Sequence, residues 1–257
     1  MRSDAFRSIL ITGATGAIGG ALALHYAAPG RSLHLQGRDD QQLADIARRC
    51  EARGARVHPA AVDLEDLGAL RQWLDGVLAR ELPDLVVAAA GRNTHVGAGG
   101  EPERWEDVDA LLKVNLRAVM ALVLHLLPAL RARGRGQIAL IGSLAGYFGL
   151  PATPAYSASK AAIKAYGEAL RGWLAPEGIA VNVILPGYVD SAMCRDMPGP
   201  KPFLWAPPRA ARAIARGLAA NRARIAFPFW LAAGCWWLAV LPPALSIRIL
   251  RWLRYAG

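Results

Sequence analysis

Short apolar runs alternate along the chain with longer segments in which apolar residues recur every three or four positions. The runs are four to eight residues long, are rich in Val, Ile, Leu and Ala, and are bounded by Gly, Pro or Asp, which is typical of buried parallel strands. The segments between them predict helices, so the fold class is α/β, with a doubly wound parallel sheet of about seven strands and helices on both faces. The predicted strands cover residues 8–12, 32–36, 56–62, 84–91, 136–143, 179–185 and 224–228.

The chain of 257 residues has the size of a single α/β domain. We expect one domain over residues 1–224, in which residues 188–208 form a long loop. An apolar helical extension, residues 225–257, follows it and packs on or beside the same domain.

The extension holds no charged residue between positions 225 and 247, but Pro and Gly residues interrupt it. The longest unbroken stretch, 229–241, is too short to cross a bilayer. Tryptophans followed by regularly spaced arginines favour an interfacial membrane anchor, with the rings inserted and the arginines at anionic headgroups. A hydrophobic dimer interface, or a lid over a pocket, is the alternative. The residues concerned are Trp230, Trp236, Trp237, Arg248, Arg251 and Arg254.

The net charge of +10 is unevenly distributed along the chain. Residues 197–257 include nine basic residues and no acid, so the first 196 residues are nearly neutral. No recognition motif accompanies this charge, which argues against nucleic acid as a partner. The three cysteines are widely spaced; they match neither a disulfide framework nor a metal site and suit a reducing compartment such as the cytoplasm.

A glycine-rich segment lies between the first predicted strand and the helix after it. Glycines at this position allow a tight turn and let backbone N–H groups approach a pyrophosphate at the helix N-terminus. The segment is therefore a candidate site for a dinucleotide. Its candidate binding residues are Gly13, Thr15, Gly16, Ile18 and Gly19.

The end of the second strand bears on which dinucleotide fits. An acid there would bind the ribose hydroxyls, whereas a small residue followed by arginine leaves room for a 2′-phosphate and pairs with it. Gly37-Arg38 therefore favours NADP(H), while Asp39 leaves NAD(H) open. Arg38 as a helix cap is the structural alternative.

Two further strand ends supply cofactor-binding candidates. Asp63, followed by Leu64, would accept a hydrogen bond from an adenine amino group, cap the helix predicted over residues 65–80, or do both. Ala90 and Gly91 end the fourth strand in small residues, which permits a cofactor to approach closely.

Tyr156 and Lys160 are the main candidates for chemistry. Residues four apart share one face of a helix, so the Lys160 ammonium can lie beside the phenol and favour its ionised form. Only four of the 30 basic residues are lysines, which makes a lysine at this position more telling. Ser143 ends the fifth strand and would hold a carbonyl or alcohol oxygen in front of Tyr156. The three residues predict a tunable general acid/base, and a solvated helix face is the alternative.

These motifs together resemble the short-chain dehydrogenase/reductase family in its shorter branch, over roughly residues 8–195. The resemblance implies a Rossmann-like fold with Tyr156 as catalytic acid/base, and with Lys160 lowering its pKa and holding the nicotinamide ribose. It further implies that Ser143 orients the substrate oxygen and that Asn115 supports a proton-relay water. The segment after the sixth strand would close over the nicotinamide. Its cofactor-binding candidates are Pro186, Gly187, Val189 and Ser191.

Two positions depart from the family pattern. Gly16, the middle glycine of the phosphate turn, comes one place early, which predicts a slightly altered turn. The usual Asn-Asn-Ala-Gly is Ala88-Ala-Ala-Gly91, which removes side-chain hydrogen bonds from the central sheet and bears on cofactor affinity more than on chemistry.

The resemblance leads us to expect an NADP(H)-dependent oxidoreductase that interconverts a carbonyl and an alcohol on a hydrophobic substrate. Apolar residues of the 188–208 loop favour such a substrate, or else a subunit contact. A 3-oxoacyl carrier-protein reductase and a non-catalytic nucleotide-binding or scaffolding protein are the alternatives. We expect a cytoplasmic homodimer or homotetramer, with residues 225–257 attaching it peripherally to the inner face of a membrane.

Overall fold

The computed structural model describes residues 6–97, 99–197, 199–253 and 255. Its strands are β1 (Ser8–Thr12), β2 (Ser32–Gly37), β3 (Arg56–Ala61), β4 (Leu85–Ala88), β5 (Gly136–Ile141), β6 (Ile179–Pro186) and β7 (Arg224–Phe227). They form one parallel sheet in the order β3-β2-β1-β4-β5-β6-β7. The predicted doubly wound sheet is confirmed, including its short last strand.

Helices cover both faces of this sheet. The helices are α1 (Ala17–Tyr26), α2 (Asp40–Glu51), α3 (Leu67–Arg80), α4 (Trp105–Leu112), α5 (Ala118–Arg133), α6 (Pro154–Leu174), α7 (Ala192–Asp196), α8 (Pro207–Ala219), α9 (Phe229–Val240) and α10 (Pro243–Trp252). Helices α1, α2 and α8 contribute to one hydrophobic core, and α3, α5 and α6 contribute to the other.

The two cores follow from the alternation of side chains along each strand. In β1, Ile9 and Ile11 are buried with α1, whereas Leu10 points to the other face and is buried with α5. A parallel strand that is covered on both faces is mostly apolar, which explains the apolar runs of β1 and β4. In the equally buried β2, His34 and Gln36 are hydrogen-bonded instead, to Glu81 and to the Val62 carbonyl. Because all seven strands are parallel, they end at the same edge of the sheet.

Three local features differ from the elements that the sequence predicts. Helix α3 begins at Leu67 instead of residue 65, because Asp66 accepts hydrogen bonds from the N–H groups of Gly68 and Ala69. The long helix predicted over residues 105–130 contains a π-helical turn at Lys113–Arg117. The loop at 188–208 contains the short helix α7, capped by Ser191, whose Oγ accepts from the Cys194 N–H.

By length and composition, the continuous helical stretch Trp105–Arg133 could cross a membrane, and it is the only one among the described residues. Just over half of its apolar window (56%) is buried inside the fold, where it forms part of the core beneath the sheet. We therefore assign it as a core helix.

The extension packs where β6 ends. A Cβ on Gly187 would lie 2.8 Å from Leu231 Cδ2 and 3.1 Å from Pro228 Cδ, so α9 rests directly on the turn after β6. Helix α10 is tied to α9 by Ser246, whose buried hydroxyl donates to the Leu238 carbonyl across 2.8 Å. We refer to α9 and α10 as the C-terminal helix pair.

Candidate active site

A cavity of about 950 Å³ opens at the carboxyl ends of the strands, where doubly wound sheets bind ligands. It runs from the turn after β1 to the C-terminal helix pair. Most candidate residues line it, and the exceptions are Asp63 and Asn115. The candidates in its wall are Gly13, Thr15, Gly16, Ile18, Gly19, Arg38, Leu64, Ala90, Gly91, Ser143, Tyr156, Lys160, Pro186, Gly187, Val189 and Ser191.

The turn between β1 and α1 is shaped by close backbone approaches. Gly13 has φ +66°, and a Cβ there would lie 2.6 Å from Ala90 Cα, so only glycine fits. Gln36 Oε1 accepts from the Gly13 N–H across 3.0 Å, which fixes the turn to β2. At its N-terminus, which lies in the cavity wall, α1 has no side-chain cap. This bare cradle fits the pyrophosphate of a dinucleotide.

Thr12 supplies side-chain hydrogen bonds in the central sheet, where the altered Ala88-Ala-Ala-Gly91 segment has no polar side chain. Its Oγ1 accepts from the N–H groups of Ala89 and Ala90 at 3.2 and 3.3 Å, and so joins the ends of β1 and β4. The segment itself offers only small residues and backbone to the cavity.

Arg38 is exposed, at the edge of the cavity after β2. Within the described ranges, its guanidinium has no ion pair or hydrogen bond to another side chain. Asp39 instead caps α2, with its carboxylate accepting from the backbone and side-chain N–H groups of Gln42, both at 2.9 Å. Arg38 is therefore not the helix cap, and its charge is available to a ligand.

Asp63 lies outside the cavity wall and is exposed. Its carboxylate accepts from the Glu65 N–H at 3.0 Å, within the turn that precedes α3. The helix is capped by Asp66, so the interpretation of Asp63 as an N-cap is wrong. The reason is local: residues 63–66 form a turn in which the Asp66 N–H donates to the Asp63 carbonyl, and the helix begins only after this turn. Leu64 is buried within the turn.

Asn115 is buried in the π-helical turn and acts on backbone. Its Oδ1 accepts from the Arg92 N–H at 2.7 Å, and its Nδ2 donates to the Arg92 carbonyl at 3.0 Å and to Ser159 Oγ at 3.1 Å. The amide thereby joins the segment after β4 to α6. A π turn often marks a functional position, and here it aims one amide at both neighbours.

Ser143, Tyr156 and Lys160 converge on the middle of the cavity. Ser143 follows β5 and hydrogen-bonds with the Tyr156 side chain. Tyr156 lies in the first turn of α6, which begins with Pro154. One turn later, Lys160 places its Nζ 5.5 Å from the centroid of the Tyr156 ring and donates to the Ile141 carbonyl at 3.0 Å.

The pKa values differ from what the sequence predicts. Burial raises the pKa of Tyr156, although the hydrogen bond with Ser143 opposes that shift. Burial also lowers the pKa of Lys160, to about 8. The expectation that Lys160 lowers the Tyr156 pKa is therefore not met in this geometry, because the ammonium sits over the ring and binds the Ile141 carbonyl instead of the hydroxyl.

The C-terminal helix pair forms one wall of the cavity. The sequence does not decide whether this pair is a membrane anchor, a dimer interface or a lid. Its lining side chains are apolar, but α9 is apolar on every side, so no periodicity in the sequence marks the side that lines the cavity. Tyr255 adds a polar contact, because its hydroxyl donates to the Pro200 carbonyl at 2.9 Å and hydrogen-bonds with Tyr188. The lining residues of the pair, with the cap residues Leu241 and Leu253 that follow the two helices, are Trp230, Leu231, Gly234, Cys235, Trp237, Leu238, Leu241, Ile249, Leu250 and Leu253.

Comparison with known families matches residues 7–200 to the short chain dehydrogenase model. The chain belongs to the short-chain dehydrogenase/reductase family. An oxidoreductase of Myxococcus xanthus is 33% identical over 261 residues, which span 99% of this chain and all of that protein. This short-chain dehydrogenase/reductase is accordingly an NAD(P)-dependent oxidoreductase, as its motifs predict.

Two further relatives concern the cofactor and the substrate. A Streptomyces virginiae protein, whose name assigns it to ketoacyl reduction in the monensin polyketide synthase, is 32% identical over 76% of this chain and 75% of its own. A metagenomic short-chain oxidoreductase, solved with NADP, has a TM-score of 0.72 and 28% identity over 86% of this chain and 94% of its own.

Proposed function

We propose that this short-chain dehydrogenase/reductase uses NADP(H) to interconvert a carbonyl and an alcohol on an apolar substrate. The observation that carries the proposal is the convergence of Ser143, Tyr156 and Lys160 in a cavity whose far wall is apolar. A bound nicotinamide would supply or accept the hydride. The chain's own residues bind the substrate oxygen and move its proton.

Tyr156 is proposed to give a proton to the substrate oxygen during reduction and to take it back during oxidation. Ser143, which already hydrogen-bonds with Tyr156, would hold the same oxygen and keep it in line with the phenol. Lys160 would bind the ribose hydroxyls beside Gly91, since a Cβ on Gly91 would lie only 3.6 Å from its Nζ. Asn115 would position this arrangement through Arg92 and Ser159.

The preference for NADP(H) is argued from Arg38. An exposed arginine on the cavity edge, with no side-chain partner among the described residues, can pair with a 2′-phosphate at little cost. Asp39, the acid that could bind ribose hydroxyls instead, is occupied at the N-terminus of α2. The NADP-bound metagenomic relative supports the same choice.

The apolar substrate is argued from the wall that faces Tyr156. Leu231, Leu238 and Leu250 line it, and the cavity wall also includes Tyr188 and Tyr255, which hydrogen-bond with each other. The test is oxidation of NADPH with a series of aldehydes and ketones of increasing chain length. Efficiency that rises with chain length supports the proposal, and absence of turnover across the whole series overturns it.

Ketoacyl reduction on a carrier protein is the second candidate, favoured by the relative from the monensin synthase. The excess of basic residues after position 197 would attract an acidic carrier. Comparing a 3-oxoacyl chain on a carrier protein with the same chain on a small thiol distinguishes the two. A large advantage for the carrier-bound form would favour this candidate. A scaffolding role predicts no turnover with either.

The assembly is proposed to be a homodimer or homotetramer in the cytoplasm. Sedimentation velocity measures the oligomeric state directly. A monomer at micromolar concentration would contradict it.

A further inference from the structure

Helix α9 presents different residues on two sides. Phe229, Trp236 and Val240 are seven and four residues apart and therefore share one side of the helix, where they are exposed by 71%, 46% and 52%. Leu231 and Leu238, also seven apart, lie on another side and line the cavity. The outward side is apolar and large, which is unusual for a surface with no partner.

Trp230 and Trp237 lie between these two sides. Both line the cavity and yet are exposed, by 73% and 57%. They are about two turns apart on the same side of α9, so both stand where the cavity meets the surface. Phe203, from the loop after α7, is likewise exposed and lines the cavity. The cavity therefore opens through an apolar rim next to the outward side of α9.

Helix α10 adds positive charge beside this rim. Arg248, Arg251 and Trp252 share one side of the helix at spacings of three and four residues, and all three are exposed. Within the described residues, neither arginine has an ion-pair partner. Tryptophan beside unpaired arginine is the combination that sits at the boundary between headgroups and acyl chains. Arg254, the third arginine of the predicted stripe, lies outside the described residues.

We propose that the C-terminal helix pair docks on an anionic membrane surface, and that substrate enters the cavity from the bilayer between Trp230 and Trp237. The second half of this proposal rests on the proposed function. Entry from the bilayer narrows the substrate class to a carbonyl compound or alcohol that partitions into lipid and has an apolar chain about as long as a lipid acyl chain. Its reactive end would reach Tyr156 while the chain lies along Leu231 and Leu238.

Charge favours a lipid surface over a second copy of this chain. A two-fold contact places the same patch of both subunits against each other. Residues 197–257 contain no acid, so this contact would set Arg248 and Arg251 of one copy near those of the other without a carboxylate from either segment. An anionic bilayer provides the opposite charge, at roughly 1 kcal/mol per arginine near the surface.

Docking is tested by sedimentation of the full chain with phosphatidylcholine vesicles, pure or mixed with phosphatidylglycerol in equal parts. We expect binding to the mixed vesicles that weakens with salt. The double variant Arg248→Gln/Arg251→Gln should weaken binding by roughly 10–30-fold. The matched control is Arg212→Gln/Arg216→Gln, two exposed arginines of α8, which should change it much less.

The apolar contribution has its own pair of variants. Trp236→Gln removes an outward ring that does not line the cavity, whereas Trp105→Gln removes an exposed ring at the start of α4. Only the first should weaken vesicle binding and reduce turnover of a long-chain aldehyde supplied in the vesicles. Turnover of a short water-soluble carbonyl should stay unchanged in both.

Equal binding of all four variants, or no binding to mixed vesicles, would overturn the docking. A dimer that dissociates in the Arg248/Arg251 variant only would identify a second copy as the occupant and would overturn it as well. Vesicle binding without any NADPH-dependent turnover would instead remove the proposed function and leave the docking intact.

Discussion

The ammonium nitrogen of Lys160 donates to the carbonyl oxygen of Ile141 across 3.0 Å. This bond fastens the first turns of α6 to the end of β5, two residues before Ser143. Tyr156 and Ser143 are carried by those two elements, so the hydrogen bond also sets their separation. The lysine is buried, and its pKa is lowered to about 8 as a result.

Lys160→Met should stabilise the protein without added cofactor at neutral pH while it abolishes activity. The folded pKa lies below the unfolded value of about 10.4, so folding is penalised whenever the lysine is charged. The penalty is full below about pH 8 and disappears as the pH rises toward 10.4. After allowance for the lost hydrogen bond, we expect a gain of roughly 1–3 kcal/mol at pH 7. Urea unfolding at pH 7 and pH 10 measures it.

Lys164→Met serves as the control, because Lys164 lies one turn later and pairs with Glu168 at 3.1 Å. It should lose a little stability at pH 7. A Lys160→Met protein that unfolds more easily than the parent at pH 7 would contradict the assignment of a penalised buried charge.

Tyr156→Phe should lower kcat/KM by roughly 10²–10⁴-fold or more, because the ring remains but the proton is gone. NADPH affinity should change by only a few-fold, and fluorescence titration measures it. Ser143→Ala should show a smaller loss in kcat with the same cofactor affinity. Turnover retained in Tyr156→Phe would remove the phenol from the chemistry.

Arg38→Ala should weaken NADPH binding on the order of 10–100-fold and leave NADH binding nearly unchanged, since only the 2′-phosphate loses a charged partner. Arg71→Ala, at an exposed position of α3, is the matched control for lost positive charge. Isothermal titration with both dinucleotides gives the ratio. Equal losses for NADPH and NADH would show that Arg38 does not read the phosphate.

Gly13→Ala and Gly134→Ala separate crowding from backbone strain, because both glycines have φ +66°. A Cβ at Gly134 meets open space, so only backbone strain lowers the free energy of unfolding, by roughly 1–2 kcal/mol. A Cβ at Gly13 would lie 2.6 Å from Ala90 Cα. This crowding adds a further loss of about 1–3 kcal/mol in the free energy of unfolding and displaces the turn between β1 and α1. Thermal unfolding should rank Gly13→Ala as clearly less stable. Equal losses would mean that the β1 and β4 ends can move apart freely.

Strand positions and the three central side chains could be predicted because each has a local cause. Apolar runs between glycines predict the strands. Tyr156 and Lys160 are four residues apart, and helix geometry places side chains at that spacing on one face. The turn at Asp63 could not be placed, since Asp63 and Asp66 are both acceptable caps, and only in the folded chain does Asp66 accept from the N–H groups of Gly68 and Ala69. The shift in the Lys160 pKa was also hidden, because spacing indicates proximity to a phenol but says nothing about burial.

The C-terminal helix pair shows the same limit over a longer distance. Its apolar residues are evident in the sequence, and their pattern favours an anchor, but it does not exclude a lid or an interface. Only the position of Gly187 against Leu231 shows that α9 covers the turn after β6. That contact is made across the fold and leaves no local signature.

The placement of α9 also affects how the molecule is made. Leu144 and Leu185 belong to a buried cluster against which Leu231 and Cys235 of α9 pack. Helices α9 and α10 follow β1 to β6 in the chain, so a nascent chain that has already folded these strands still exposes this cluster to water until the two helices are made. Such a chain already contains Tyr156 and the turn after β1, yet it also exposes an apolar surface that chaperones recognise. The C-terminal helix pair thus covers an apolar cluster of its own chain, and a chain that lacks the pair would be prone to aggregate.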